Sequence, residues 1–265
     1  MPKLSVTVIT RDEAANLAAA LESVAWADEI VVVDSESTDA TVDIARRYTS
    51  KVLVRPWPGY VAQKNRAAEE AAHDWILSID ADERVTPALA AEIQALMRGE
   101  PAAAGYRVPR LTWHLGRWIR STDWYPDYQL RLYDRRRGRW TGKLVHESVA
   151  VDGPVVDLSS DLQHYAYRDL SHHLQTMDRY TTLAARQMRD EGRTAGWFDL
   201  AVHPPAAFLR NYVLRGGFRD GLAGLVISTL NATYVALKFA KLWELCSHST
   251  STPHRPGAAD SNRSS

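Results

Sequence analysis

The run Ile30-Val31-Val32-Val33 is the feature that most limits what this chain can become. Four consecutive β-branched residues without polar alternation describe a strand buried on both faces, the pattern of a parallel sheet covered by helices on each side. The surrounding sequence repeats the theme. Leu4 to Ile9 reads as a first strand, and about Glu13 to Ala25 as a helix with Leu17, Leu21 and Val24 on one face. Ser37-Thr38-Asp39 supplies capping side chains for a helix through Ala45. Val52-Leu53-Val54 is a third strand, Val61 to Ala72 a helix, and Trp75 to Ile79 a fourth strand. Thr86-Pro87 then opens a helix with proline at its tolerated first position. Strands alternating with helices predict a doubly wound, mostly parallel α/β sheet. Ligands of such sheets gather at the carboxyl ends of the strands, where Asp34 and Asp80 fall.

After residue 104 the pattern changes. Tyr106-Arg107-Val108, Gln129 to Tyr133 and Val145 to Val151 read as shorter strands extending the sheet, with aromatic and arginine-rich loops between them. Leu170 to Gly192 is an amphipathic helix whose apolar members include Leu174, Met177, Leu183 and Met188. The expected organisation is a nucleotide-binding α/β half over 1–104 and an acceptor-side half over 105–168. A helical, membrane-associated extension over 169–246 and a disordered tail over 247–265 follow, the tail being rich in Ser, Pro, Arg and Asn.

Bulk properties narrow the function. The 265 residues hold 32 basic and 32 acidic side chains, without the basic excess of a nucleic-acid binder. Cys246 is the single cysteine and cannot form an internal disulfide, which favours a reducing compartment. Met1 to Thr10 lacks the apolar core and cleavage site of a signal peptide, so a cytoplasmic location is expected.

In Ile79-Asp80-Ala81-Asp82-Glu83 an apolar strand delivers two carboxylates into a loop. Hard oxygen donors of this kind suit Mg²⁺ or Mn²⁺, which bind through one or two carboxylates plus substrate phosphates; the plainer reading is a solvated turn. Asp34 is positioned to accept hydrogen bonds from a base or ribose, or to cap the next helix, a task Ser37, Thr38 and Asp39 already cover. Lys64, in Gln63-Lys64-Asn65, is a mobile charge suited to phosphate or a solvated surface residue. Arg131, Arg135, Arg136, Arg137 and Arg139 are either a solvated hairpin or contacts to a phosphorylated acceptor or anionic headgroups. Trp113, Trp118, Trp124 and Trp140 offer faces for sugar rings or for the core.

Several of these segments together resemble a known family. Val6 to Thr10 with Glu13, Val33-Asp34-Ser35-Glu36-Ser37-Thr38-Asp39 and Asp80-Ala81-Asp82-Glu83 resemble the family-two glycosyltransferases, with Asp12 and Glu36 where that pattern has asparagine and glycine. Gln63-Lys64-Asn65, Pro126 to Leu132, Val145-His146-Glu147 and His164-Tyr165 are similar to the lipopolysaccharide core glucosyltransferase group (the WaaE/KdtX type). The resemblance implies a GT-A fold and an inverting, metal-dependent transfer from a nucleotide sugar, UDP-glucose or a similar hexose, to a glycan or glycolipid. It implies that Thr10, Glu13, Asp34, Lys64 and Asp80 bind the donor nucleotide, and that Asp80, Asp82 and His164 hold Mg²⁺ or Mn²⁺. Glu147 matches the catalytic base, with Asp127 the second candidate, and Arg131, His146 and Trp124 are weaker candidates for acceptor or phosphate contacts.

Other classes fit less well. A phosphotransferase would place a nucleophilic aspartate where Thr10 stands, and a non-catalytic nucleotide-sugar scaffold would not need Glu147. A nicotinamide dehydrogenase would follow its first strand with a glycine-rich turn. The uncharged stretch Gly221 to Leu237 falls short of the roughly 20 residues that cross a bilayer. Its small or polar positions Gly221, Gly224, Ser228 and Asn231 share a helical face, away from Leu222, Leu225, Val226, Leu230 and Leu237. The expectation is a helix lying on the anionic inner face of the membrane, its apolar side in the acyl boundary; the alternative is packing on the protein's own core.

Overall fold

The computed structural model describes residues 1–142 and 147–248. His146 and the tail beyond residue 248 therefore lie outside the described residues. The elements in chain order are β1 (Leu4–Thr10), α1 (Leu17–Glu22), β2 (Glu29–Asp34), α2 (Thr41–Ala45), β3 (Val52–Val54) and α3 (Tyr60–Glu69). Then come β4 (Trp75–Asp80), β5 (Glu83–Val85), α4 (Pro87–Arg98), β6 (Gly105–His114), β7 (Arg117–Ile119) and β8 (Asp127–Asp134). The chain continues through β9 (Gly138–Thr141), β10 (Ser148–Val151), β11 (Val155–Asp157), β12 (Leu162–His164), α5 (Leu170–Asp190), α6 (Trp197–Leu209) and α7 (Gly221–His248).

One mixed sheet runs β3-β2-β1-β4-β8-β6-β12-β5, with β7 and β11 also paired to β6. The first four strands are parallel, and β8 joins β4 and β6 antiparallel. The prediction for β2 holds in detail. Val32 packs with Leu17, Leu21, Leu89 and Ile93 on one side, while Val31 and Val33 pack with Ala67, Tyr133 and Trp140 on the other. Thr86 caps α4 by accepting from the Leu89 amide at 3.1 Å, with Pro87 in the first turn.

Some expectations need correction. The strand expected over Val145 to Val151 is described only from Ser148, and it pairs with β9 in a separate two-stranded sheet rather than extending the main one. The helix after β1 starts at Leu17, not near Glu13, because Asp12 takes φ 52° and Glu13 stays in the preceding turn. Ser37 and Asp39 do not cap α2 from its N-cap position, which is Ala40 without a side-chain bond. Ser37 instead bonds back to Asp34, and Asp39 accepts from the Thr41 amide at 2.9 Å and the Ala14 amide at 3.1 Å. Leu174 faces outward from α5, whose buried side is His173, Met177, Thr181, Ala185 and Met188.

The helical extension is docked on the sheet domain. Asp220, buried ahead of α7, accepts from the Arg120 amide at 3.0 Å and the Ser121 hydroxyl at 2.5 Å and pairs with Arg117 at 3.4 Å. The small face of α7 is a packing face. A Cβ on Gly224 would meet the Gly217 carbonyl oxygen at 1.8 Å, and Ser228 and Ile227 are buried. Further along, Phe239 and Leu242 pack against Ala185 and Met188 of α5. The helix is also longer than its uncharged stretch, because charged residues near its end continue it to His248.

Candidate active site

The site is organised by the turn between β4 and β5. Glu83, fully buried, accepts from the Asp80 amide at 2.9 Å and so closes the turn that presents Asp80 and Asp82. β12 lies antiparallel to β5 with His164 opposite Glu83, and the Tyr165 amide donates to the Asp82 carbonyl at 2.9 Å. That pairing brings His164 Nε2 to 3.4 Å from Asp82 Oδ2. His164 is the late histidine singled out in the sequence, and it stands on a strand, β12, that the sequence does not announce.

Asp80 faces two cations. Its Oδ1 is 2.8 Å from Lys64 Nζ and its Oδ2 is 2.7 Å from an Arg131 guanidinium nitrogen. Burial alone would raise the Asp80 carboxyl, but Arg131 and Lys64 outweigh it and hold the group well below the usual carboxylate range. Arg131 behaves in mirror image: burial opposes its charge, yet Asp80 and Glu83 keep it firmly protonated. Arg110 extends the network to Glu83 at 3.5 Å and to Asp127 at 2.7 Å.

The consecutive residues Gln63, Lys64 and Asn65 divide their work. Gln63 donates to the Ser35 hydroxyl at 3.1 Å, Lys64 reaches Asp80 and lies over the Trp140 ring, and Asn65 makes two 2.9 Å bonds to the Trp140 backbone. Lys64 is thereby a buried partner of Asp80 rather than a solvated lysine. Arg131, expected to touch acceptor or phosphate, is held by Asp80 and Glu83. Arg135 donates to the Ala68 and Ala71 carbonyls at the end of α3, Arg136 pairs with Asp134, and Arg137 bonds the Asp152 carbonyl, so these three serve the structure.

At the end of β1, Thr10 is buried with no partner for its hydroxyl among the described residues, directly across from Asp34 in the sheet register. Asp34 is buried and spends both carboxylate oxygens on Ser37, at 2.8 and 2.5 Å. Its structural role in the turn is therefore real, contrary to the expectation that Ser37 to Asp39 make it unnecessary. Glu13 sits nearby; burial raises its carboxyl, Asn16 opposes that, and the Asp82 charge adds to the rise. Glu36 adopts φ 57° where the resembling family has glycine.

A cavity of about 260 Å³ gathers Lys64, Asp80, Arg110, Gln129, Arg131, Trp140 and Glu147. Glu147 therefore shares a chamber with the head of the Asp80 loop. Asp127, the second base candidate, is held on Oδ2 by two of the Arg110 nitrogens at 2.9 and 2.7 Å and on Oδ1 by Gln129 at 2.7 Å. Trp124 lies elsewhere, tilted against the rings of His114, Tyr167 and His173.

Asp82 and His164 offer an oxygen and a nitrogen donor facing one another on a partly open loop, a set that fits Mg²⁺ or Mn²⁺ once phosphate oxygens complete the shell. The expected third ligand, Asp80, is turned to Lys64 and Arg131. Among the described residues no group of three His, Cys, Asp or Glu side chains converges as a metal cage.

Comparison with known proteins agrees with the geometry. Residues 5–151 match glycosyl transferase family 2. The chain is 32% identical over 253 residues to the lipopolysaccharide core biosynthesis glycosyltransferase LpsC of Rhizobium meliloti, covering 92% of this chain and 94% of that protein. It is 32% identical to the uncharacterized glycosyltransferase RT0209 of Rickettsia typhi, covering 92% and 88%. Among solved structures it is similar to the mannosyltransferase PcManGT of Pyrobaculum calidifontis in complex with GDP-Man and Mn²⁺, with TM-score 0.54 at 17% identity, covering 92% of this chain and 88% of that one. With a mostly parallel sheet whose fourth strand ends in the Asp80–Asp82 loop, and a family match along more than half of its length, this chain is a member of glycosyl transferase family 2, a glycosyltransferase of GT-A fold.

Proposed function

We propose that the protein transfers a hexose, with inversion, from a nucleotide donor of the UDP-glucose type to a lipopolysaccharide core or related glycolipid. In this reading residues 1–104 hold the donor, residues 105–168 face the acceptor, and residues 169–246 form the extension. The observation that carries it is the shared cavity of Glu147, Lys64 and Asp80, which pairs a candidate base with a candidate diphosphate site. Glu147 takes the proton of the acceptor hydroxyl as that oxygen bonds the anomeric carbon, while the bond from that carbon to the donor diphosphate breaks. Asp127 is the poorer base because its carboxylate is already bound by Arg110.

Arg110, on the cavity wall, offers a fixed positive charge to the departing diphosphate. Thr10 and Glu13 lie at the strand end where the nucleoside would rest, and the orphan Thr10 hydroxyl is free to bond it. A divalent cation held by Asp82 and His164 would neutralise charge developing on the leaving diphosphate. Thermal-shift measurements on the full chain with Mn²⁺ and a panel of nucleotide sugars test the donor site. A UDP-hexose should raise the melting temperature in a Mn²⁺-dependent way; if no nucleotide sugar does so, the reading fails.

We further propose that it works at the cytoplasmic face of the inner membrane, resting on anionic lipid at the corner between α6 and α7. Leu209, Leu214, Phe218 and Leu222 stand exposed there, Leu214 by 80% and Leu222 by 76%, among Arg210, Arg215 and Arg219. This corner differs from the lengthwise contact that the sequence alone suggests. The helical run Gly217–Ser247 is long and apolar enough by length and composition to cross a bilayer, its most apolar 18-residue window having mean hydropathy 1.4. Its anchors argue for lying on the surface instead, since Asp220 is clamped by the β7 region and Leu242 is buried against α5.

A further inference from the structure

A second cavity, of about 170 Å³, opens between α5, α7 and the segment around Trp124. Its walls include Trp124, Tyr167, His173, Tyr180, Asn231 and Tyr234, and among the described residues no Asp, Glu, Lys or Arg lines it. The contrast with the charged chamber of Lys64, Asp80 and Glu147 is chemical: one suits a diphosphate, the other a neutral molecule.

Its aromatic wall is held in place. His173 stacks on Tyr167 with centroids 4.1 Å apart, and its Nδ1 is 3.1 Å from His114 Nε2. Trp124 lies against the same rings at 5.6 to 5.8 Å. Across the space, Asn231 keeps a buried amide nitrogen with no hydrogen-bond partner among the described residues. A buried donor without an acceptor is costly, and one retained beside open space is satisfied when a ligand brings an oxygen. Of the small and polar positions on that face of α7, Gly224 and Ser228 are consumed by packing, while Asn231 emerges into the cavity.

The cavity also adjoins the reaction chamber. Tyr167 follows His164 by three residues, at most about 10 Å of extended chain. Burial pushes the Tyr167 hydroxyl up, and Arg110 and Asp82 lie near enough to act on it as well. From the other side, Tyr60 feels both Tyr180 of this cavity and Glu147 of the chamber.

We propose that this aromatic cavity is an acceptor subsite that takes one uncharged sugar ring, its C–H face on Trp124 and Tyr167 and a hydroxyl oxygen on the Asn231 amide. The volume admits a single ring, and aromatic faces with a few polar groups are the usual means of holding and orienting such a ligand. It rests on the reading of the chain as a transferase acting on a glycan, and it names where a neighbouring residue of that glycan docks.

Saturation-transfer NMR on the full chain tests it, with the methyl α-glycosides of glucose, galactose and mannose as probes. Irradiating the aromatic protons should saturate the ring C–H protons of at least one glycoside. Asn231→Leu and Trp124→Ala should each weaken that binding at least about tenfold, the loss expected for one buried hydrogen bond or one stacking face. Mn²⁺-dependent UDP stabilisation should stay at the wild-type level in both variants, which shows that they fold. Glu147→Gln should keep glycoside binding while losing transfer. Glycoside binding indifferent to both pocket variants, or saturation reaching hexanol but no glycoside, overturns the proposal. Absence of UDP binding in the wild type would instead sink the donor reading, while the glycoside arm still judges this cavity.

Discussion

Lys64 Nζ lies 2.8 Å from Asp80 Oδ1, tying the middle of α3 to the last residue of β4. With Arg131 on the other oxygen, the first carboxylate of the loop is an internal anchor, and the second, Asp82, is left to face His164. The two aspartates therefore fail differently when removed.

Asp80→Ala should destabilise the fold by about 3–5 kcal/mol, because it leaves buried Lys64 without its carboxylate partner and Arg131 with Glu83 alone. Denaturant unfolding measures this. The depressed Asp80 carboxyl contributes its full stability above an unfolded value near 4 and loses it as pH falls below that. Asp82→Ala should unfold close to wild type but lose Mn²⁺-dependent nucleotide stabilisation. A reversed pattern would mean that the metal sits on Asp80.

Glu147→Gln should slow transfer by about 10²–10⁴-fold with donor binding retained. Asp127→Asn should leave the rate within an order of magnitude, since its role is to hold Arg110. Radiolabelled sugar transfer under saturating donor separates the two, and a larger loss in the Asp127 variant would exchange their roles.

Burial, helped by His114 and His172, lowers His173 from 6.5 to about 4. The imidazole is neutral in the fold but protonates earlier in the unfolded chain. Stability should thus be full above pH 6.5 and fall as pH drops toward 4, by up to about 3 kcal/mol. His173→Phe should flatten this part of the pH profile, read by thermal melts from pH 8 to 4 (about four units spanning the transition). An unchanged slope would assign the acid sensitivity elsewhere.

Glu36 holds φ 57°, a conformation that costs a residue with a Cβ roughly 1–2 kcal/mol. Glu36→Gly relieves that strain but gives the unfolded chain more freedom, so a net gain of up to about 1 kcal/mol is expected. A loss in chemical denaturation would show that the Glu36 side chain contributes to the loop.

Leu214→Glu combined with Phe218→Glu should release the full chain from vesicles containing anionic lipid and leave UDP binding intact. Both side chains are exposed, so folding should not suffer. Co-sedimentation equal to wild type would remove this corner from the membrane reading.

Strand and helix alternation was legible because burial on both faces leaves a continuous apolar run, as at Ile30 to Val33, and because caps such as Thr86-Pro87 act locally. The short strands β5, β7, β9, β11 and β12 left no such trace, since three or four residues cannot display a period, and β5, β11 and β12 pair with strands distant in sequence. The same limit hid Arg131: an arginine in a basic stretch looks solvated until a sheet brings Asp80 and Glu83 against it.

The parallel half of the sheet, and the acidic residues that stand at its strand ends, can be read from the sequence because backbone geometry and local burial are set within a few residues. Tertiary structure alone decided which carboxylate is anchored and which faces His164, and which side of α7 is buried. Those outcomes depend on charges and surfaces that meet only when segments far apart in the chain, such as Lys64, Asp80 and Arg131, are packed into one low-dielectric space.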